Sequence, residues 1–170
     1  MEQQKCYDHY PVWIVIISNI VSLSIYFIGG FLVYQFGLLW LVFYIGYILI
    51  LELRLLNGHC VNCYYFGKTC AFGKGRLSSL FFTRGDPKKF VEKKVTWKDI
   101  VPDFLVSVIP ILAGIFILTI NFSWLILLLL TILFFLGFAG SAIIRTQFAC
   151  KFCRQRKLGC PAQKLFDKTK

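Results

Sequence analysis

Acidic residues are scarce in this sequence, with eight Asp and Glu against 19 Lys and Arg, and there are only two histidines and one methionine in 170 residues. Charged residues of both signs make up 16% of the chain and hydrophobic residues 58%, which excludes an ordinary soluble domain. The usual marks of catalysis are also missing. There is no Gly-rich phosphate loop, no nucleophile with a base at a recognisable spacing, and no His-Glu metal motif of a hydrolase. Nothing in the sequence asks for an enzyme.

The apolar residues lie in four blocks, Val12 to Tyr34, Phe36 to Leu56, Asp103 to Phe122 and Ser123 to Ile144. Each is about 20–23 residues long, and at 1.5 Å per residue spans roughly 30–35 Å, the thickness of a bilayer's hydrocarbon core. A single segment in lipid satisfies its own backbone only as a helix, so the expected fold is an all-α membrane protein of four transmembrane helices. The first block is too long for a signal peptide and lacks a basic flank and a small-residue cleavage site, so a retained helix is expected. The connections around Gln35 and around Asn121-Phe122-Ser123 carry no charge. The basic residues fall in the N-terminal tail, between the ends of the second and third spans, and from the end of the fourth span onward. By the positive-inside rule, both termini and the central loop face the cytoplasm. The net charge of +11 then reads as juxtamembrane cations against anionic lipid headgroups, each worth about 1 kcal/mol. No nucleic-acid partner is expected.

Seven cysteines remain, and six of them form a pattern. Cys60-x2-Cys63-x6-Cys70 recurs about 90 positions later as Cys150-x2-Cys153-x6-Cys160, each copy directly after an apolar block. Pro11 precedes the first span and Pro102 the third, and Lys74 and Lys164 follow the last cysteines at the same offset. The layout predicts two parallel helical-hairpin repeats, residues 1–74 and 102–170, joined by a basic interfacial linker, 75–101. Two spans per repeat place both cysteine segments on the cytoplasmic side. In the linker, Leu77, Leu80, Phe81 and Phe82 beside Arg76 and Arg84 predict a short interfacial helix. Gly85-Asp86-Pro87 marks a turn, Phe90, Val91, Val95 and Trp97 continue among Lys88, Lys89, Lys93, Lys94 and Lys98, and Thr96-x-x-Asp99 has the form of a capping box. Ser18, Ser22, Gly137, Ser141, Gly114 and Gly140 are candidates for close helix approach. Asn19, the one strongly polar side chain deep in the first span, is expected to bond a neighbouring helix.

In a reducing cytoplasm such cysteines bind metal or do redox chemistry instead of forming disulfides. Zinc, iron and iron–sulfur clusters all take thiolates, and Lys68, Lys151, Arg154, Arg156 and Lys157 beside the motifs favour the thiolate form. Zinc prefers four ligands, and each motif offers three. Either the two motifs share, six thiolates holding two zinc ions with two sulfurs bridging, or each finds a fourth ligand among His59, Cys6 and His9. The shared site is preferred, because His59 abuts Cys60, no histidine accompanies the second motif, and Cys6 by itself is an ordinary free thiol. The doubled Cys-x2-Cys-x6-Cys resembles the fungal zinc-cluster activators with their binuclear Zn2Cys6 site, and Cys150-Lys151-Phe152-Cys153-Arg154-Gln155-Arg156-Lys157-Leu158-Gly159-Cys160 is similar to their basic half-motif. The resemblance implies that Cys60 and Cys150 bridge, with Cys63, Cys70, Cys153 and Cys160 terminal. It covers the ligand pattern alone, residues 71–149 standing in place of a short loop, and implies no DNA recognition.

Two other functions stay open from sequence. Cys160-Pro161 is similar to the Cys-Pro ending of ferredoxin motifs, as an iron–sulfur electron carrier at the membrane would need. A lipid-modifying enzyme would need Glu52, Arg54, Asp103 and Arg145 to converge, although helix-end charges snorkelling to headgroups, Glu52 against an arginine, explain them without chemistry. A transporter has no marker in four spans without a buried charge or a broken helix. The leading expectation is a non-catalytic structural or docking module for a protein partner on the cytoplasmic face, with the oligomeric state open.

Overall fold

Long apolar stretches leave the backbone no hydrogen-bond partner in lipid but itself, and this chain is helical wherever such a stretch occurs. The structure is a computed structural model that describes residues 6–92 and 96–161, with Trp97 and Lys98 described by their backbone alone. Lys93, Lys94, Val95 and Lys164 lie outside the described residues. In chain order the helices are α1 (Val12–Tyr34), α2 (Leu38–Gly58), α3 (Lys74–Phe81), α4 (Pro87–Glu92), α5 (Trp97–Ile120), α6 (Trp124–Phe135), α7 (Ser141–Ile143) and α8 (Arg154–Gly159). Two π-helical stretches, Leu136–Gly140 and Ile144–Cys150, flank α7 and carry the fourth long helix on to the second cysteine motif. Four helical segments are long and apolar enough to cross a membrane: Val12–Tyr34, Leu38–Asn62, Asp99–Ile120 and Trp124–Cys150.

The chain divides into two compact units, one made of residues 1–19, 52–97 and 144–170, the other of 20–51 and 98–143. Each takes residues from both halves of the sequence. The second unit is the apolar one. Ile25, Leu32, Leu130 and Leu133 form one core, and Val33, Tyr44 and Val106 another. Large side chains such as Phe27, Leu39, Trp40, Phe116 and Leu128 face outward, as lipid-contacting positions do. Small residues sit where helices close in. A Cβ on Gly114 would stand 2.7 Å from Leu130 Cδ2, and one on Gly137 would stand 3.0 Å from Ser107 Oγ.

Proline shapes α5 in a way the sequence boundaries miss. The helix starts at Trp97, directly after Thr96, so Pro102 lies inside it and not before it. Pro110 has no N–H to give to the Val106 carbonyl one turn back. The Tyr44 hydroxyl donates to that carbonyl at 2.8 Å, and the Tyr47 hydroxyl donates to the Pro102 carbonyl at 2.9 Å. In the π-helical stretch the Ser141 hydroxyl donates to the Leu136 carbonyl at 3.2 Å. At the α1–α2 turn, Gly37 takes a positive φ of 116° and donates to the Tyr34 carbonyl at 2.8 Å, a conformation that favours glycine.

The first unit is built around aromatic and small residues. Tyr10, Ile14, Tyr65, Ala71 and Ala149 form one buried cluster in it, with Cys63, Cys70 and Cys153 packed against them, and Leu56, Val61 and Ile144 are buried as well. Asn19 makes no bond to a neighbouring helix. Its Nδ2 donates to the Val15 carbonyl in its own helix at 2.7 Å and to the Phe72 carbonyl in the first cysteine segment at 3.4 Å. Glu52 pairs with Lys74 at 2.7 Å.

Candidate metal centre

The two Cys-x2-Cys segments adopt the same local backbone. Cys63 N–H donates to the Cys60 carbonyl at 3.2 Å, and Cys153 N–H to the Cys150 carbonyl at 3.3 Å. A second turn follows each, from Phe66 N–H to Cys63 O at 3.1 Å and from Arg156 N–H to Cys153 O at 3.2 Å. Two consecutive turns of this kind swing the following N–H groups toward the cysteine sulfur. The backbone amides of Tyr65 and Tyr64 draw the Cys63 thiol toward its charged form, and those of Arg156 and Gln155 do the same for Cys153. Gly75 N–H reaches Cys70 Sγ at 3.4 Å. Hydrogen bonds to the charged form of a group stabilise it, so the amides beside Cys63 and Cys153 favour thiolate there.

Both motifs lie in the first unit, and the N-terminal tail stitches them together. Tyr7 pairs with Cys153 as an isolated bridge, its N–H donating to the Phe152 carbonyl at 3.1 Å. Tyr10 N–H donates to the Thr69 carbonyl at 3.0 Å, and its hydroxyl donates to the Ala149 carbonyl. The Tyr65 hydroxyl donates to the Tyr7 carbonyl at 2.6 Å and accepts from Arg154 N–H at 3.0 Å. Gln155, only 4% exposed, accepts the Tyr64 N–H at 2.8 Å and donates to the Gly159 carbonyl at 3.3 Å. The same oxygen takes a weak bond from the Cys63 thiol at 3.9 Å. At the surface, Asp8 accepts from the Tyr64 hydroxyl at 2.7 Å and pairs with Arg154.

The thiols feel one another electrostatically within and across the motifs. Cys60 interacts with Cys70 and Cys63, Cys150 with Cys160, and Cys153 with Cys150. Across the motifs, Cys63 interacts with Cys160 and Cys153. Burial pushes the Cys63 thiol up to about 11 and the Cys153 thiol up to about 12, against the pull of the amides just described. Burial and the neighbouring thiols Cys153 and Cys150 also raise Tyr10. Several half-buried thiols this close repel as anions unless a cation stands among them. Lys74, joined to Glu52, and Glu52 itself both lie within electrostatic reach of Cys60.

As they are placed, no three Cys, His, Asp or Glu side chains among the described residues stand close enough together to hold a metal ion. Of the three additional candidate ligands, His9 is exposed, and the His59 ring meets Phe90 edge-on at 6.4 Å. Cys6 lies within electrostatic reach of Tyr65 and Arg154. The residues that sequence reasoning missed are Gln155 and the tyrosines Tyr7, Tyr10, Tyr64 and Tyr65. Their visible signal was the concentration of tyrosine beside the cysteines, without any spacing that assigns a role. No family model, curated protein or solved structure matches the chain.

Proposed function

We propose that the six cysteines of the two motifs hold zinc as a shared thiolate cluster, two ions to six sulfurs, and that this cluster joins the ends of two parallel membrane hairpins on the cytoplasmic side. The product is a rigid, non-catalytic platform to which a protein partner docks. One observation carries the reading: both motifs, far apart in sequence, lie in one unit with Cys63 of the first within electrostatic reach of Cys153 and Cys160 of the second. The matching pairs of turns and the N–H groups directed at Cys63 and Cys153 support it, since such bonds orient and steady metal-bound thiolates.

The donor set fits zinc. Six thiolates and two Zn²⁺ leave a net −2, which the surrounding cations, Lys74 beside Cys60 among them, help to offset. The zinc would deprotonate the buried thiols and remove the repulsion among them. Structural zinc contributes on the order of 10 kcal/mol of folding free energy per site in small domains.

Metal content per chain, with an absorption spectrum, on protein purified anaerobically in detergent tests this directly. Two zinc per chain and no visible band is the expected result. Iron with sulfide and a broad band in the visible would replace the platform with an electron carrier. Loss of zinc from both motifs together in Cys63→Ser marks a shared cluster, whereas loss of half the metal assigns each motif its own ion.

A further inference from the structure

The central connection between α2 and α5 carries an apolar stripe that nothing among the described residues covers. α3 is fixed on one side only. Gly75 presses against the carbonyls of Tyr65 and Lys68, where a Cβ would come within 2.2 Å and 2.7 Å, and Gly67 N–H donates to the Gly75 carbonyl at 3.0 Å. Ser78, fully buried, donates to the Leu56 carbonyl of α2 at 3.4 Å. Residues three and four apart share a helix face, and on another face stand Leu77, Leu80 and Phe81, with exposures of 43%, 75% and 70%. Arg76 flanks this stripe, and Arg84, Lys88 and Lys89 follow it, all exposed. The loop behind them is held too, Gly85 N–H donating to the Val61 carbonyl at 3.0 Å.

We infer that α3 and the basic segment after it form a binding surface for anionic phospholipid in the membrane that the chain's own long helices enter. Three observations fix the occupant as lipid. The helix is bonded directly to the last turns of a membrane-length helix, so its stripe stands at the depth of the headgroups. Both ends of the connection run into membrane-length segments, Leu38–Asn62 and Asp99–Ile120, which keep it at the surface. The exposed side chains pair leucine and phenylalanine with arginine and lysine, the combination that seats a helix in an interface and draws in phosphate. The inference stands whether or not the cysteines bind metal.

The test places p-benzoylphenylalanine at Leu80 in the full chain, reconstituted in nanodiscs of mixed phosphatidylcholine and phosphatidylglycerol, and identifies the photo-adducts by mass spectrometry. Leu128, exposed on α6, is the control position for lipid contact. Lipid adducts at 80 with phosphatidylglycerol enriched beyond its share of the disc are expected. Replacing one cation, as in Arg84→Gln, should cut that enrichment by up to about fivefold, and raised salt should do the same to the unaltered chain. Adducts that follow disc composition would overturn the anionic preference. Adducts to protein, or none at 80 while 128 labels, would overturn the lipid surface itself.

Discussion

At the scale of single residues, the polar side chains that matter most in the first unit are those whose partners are backbone groups. Gln155 is buried and holds the Tyr64 N–H of one motif from within the other. Gln155→Leu keeps the volume and removes the acceptor, leaving a buried donor unpaired, at a cost of about 1–3 kcal/mol. Denaturant unfolding in detergent should register that loss. Zinc affinity should fall roughly 10–100-fold, as for other changes behind a metal ligand, which a competition titration with a chelator reads. Arg154 contrasts with it. Its backbone N–H does the joining, to the Tyr65 hydroxyl, while its side chain forms an exposed pair with Asp8. Arg154→Gln should therefore leave the unfolding midpoint close to that of the unaltered protein. A marked drop would show that the surface pair, and not the amide, closes this corner.

At the scale of elements, α5 shows how a helix in lipid tolerates proline. Tyr44 supplies the hydrogen that Pro110 cannot. Tyr44→Phe should cost about 0.6–1.7 kcal/mol, the range of polar contacts between membrane helices, and much less in a Pro110→Ala background, where the restored N–H fills the gap. A double-mutant cycle by unfolding in detergent checks this, and equal losses in both backgrounds would detach the hydroxyl from the proline. No periodicity announces such a pairing, because Tyr44 and Pro110 are distant in sequence and meet only when α2 and α5 pack. The same limit explains Asn19 and Glu52. Their polarity and depth marked them as bonded, but their partners, the Phe72 carbonyl and Lys74, lie in loop and helix beyond the span. The long helices themselves were legible because length and apolarity are local properties. The short helix of the connection was legible for the same reason, Lys74–Phe81 containing Leu77, Leu80 and Phe81 of the four residues that marked it. The start of α5 was not, since Pro102 reads as a boundary when it is only a residue that a helix in this setting can absorb.

At the scale of the whole molecule, charge and metal lead to separate predictions. The positive-inside rule predicts from the asymmetry of basic residues that both termini face the cytoplasm, so a fluorescent protein that matures only there should light up at either end, and a periplasm-dependent phosphatase at either end should stay silent. Opposite signals from the two ends would mean an odd number of crossings. The metal prediction concerns how stability is distributed. The unit of residues 20–51 and 98–143 has its own apolar cores and small-residue contacts, and it contains none of the seven cysteines. The other unit holds all of them, several half-buried and repelling one another when charged. On the proposed cluster, chelation should then release amide protection in the tail around Tyr7 and Tyr10, in Cys60–Phe72 and in Cys150–Cys160, and leave the helical interior of the other unit protected. Hydrogen exchange read by mass spectrometry resolves the two. Local opening confined to the cysteine unit is what a structural metal predicts, because the crosslink it removes lies in that unit alone. Uniform loss of protection would mean that the metal holds the whole bundle. No change at all would mean that the tyrosine and glutamine bonds suffice, and the six cysteines would then need another explanation than stability.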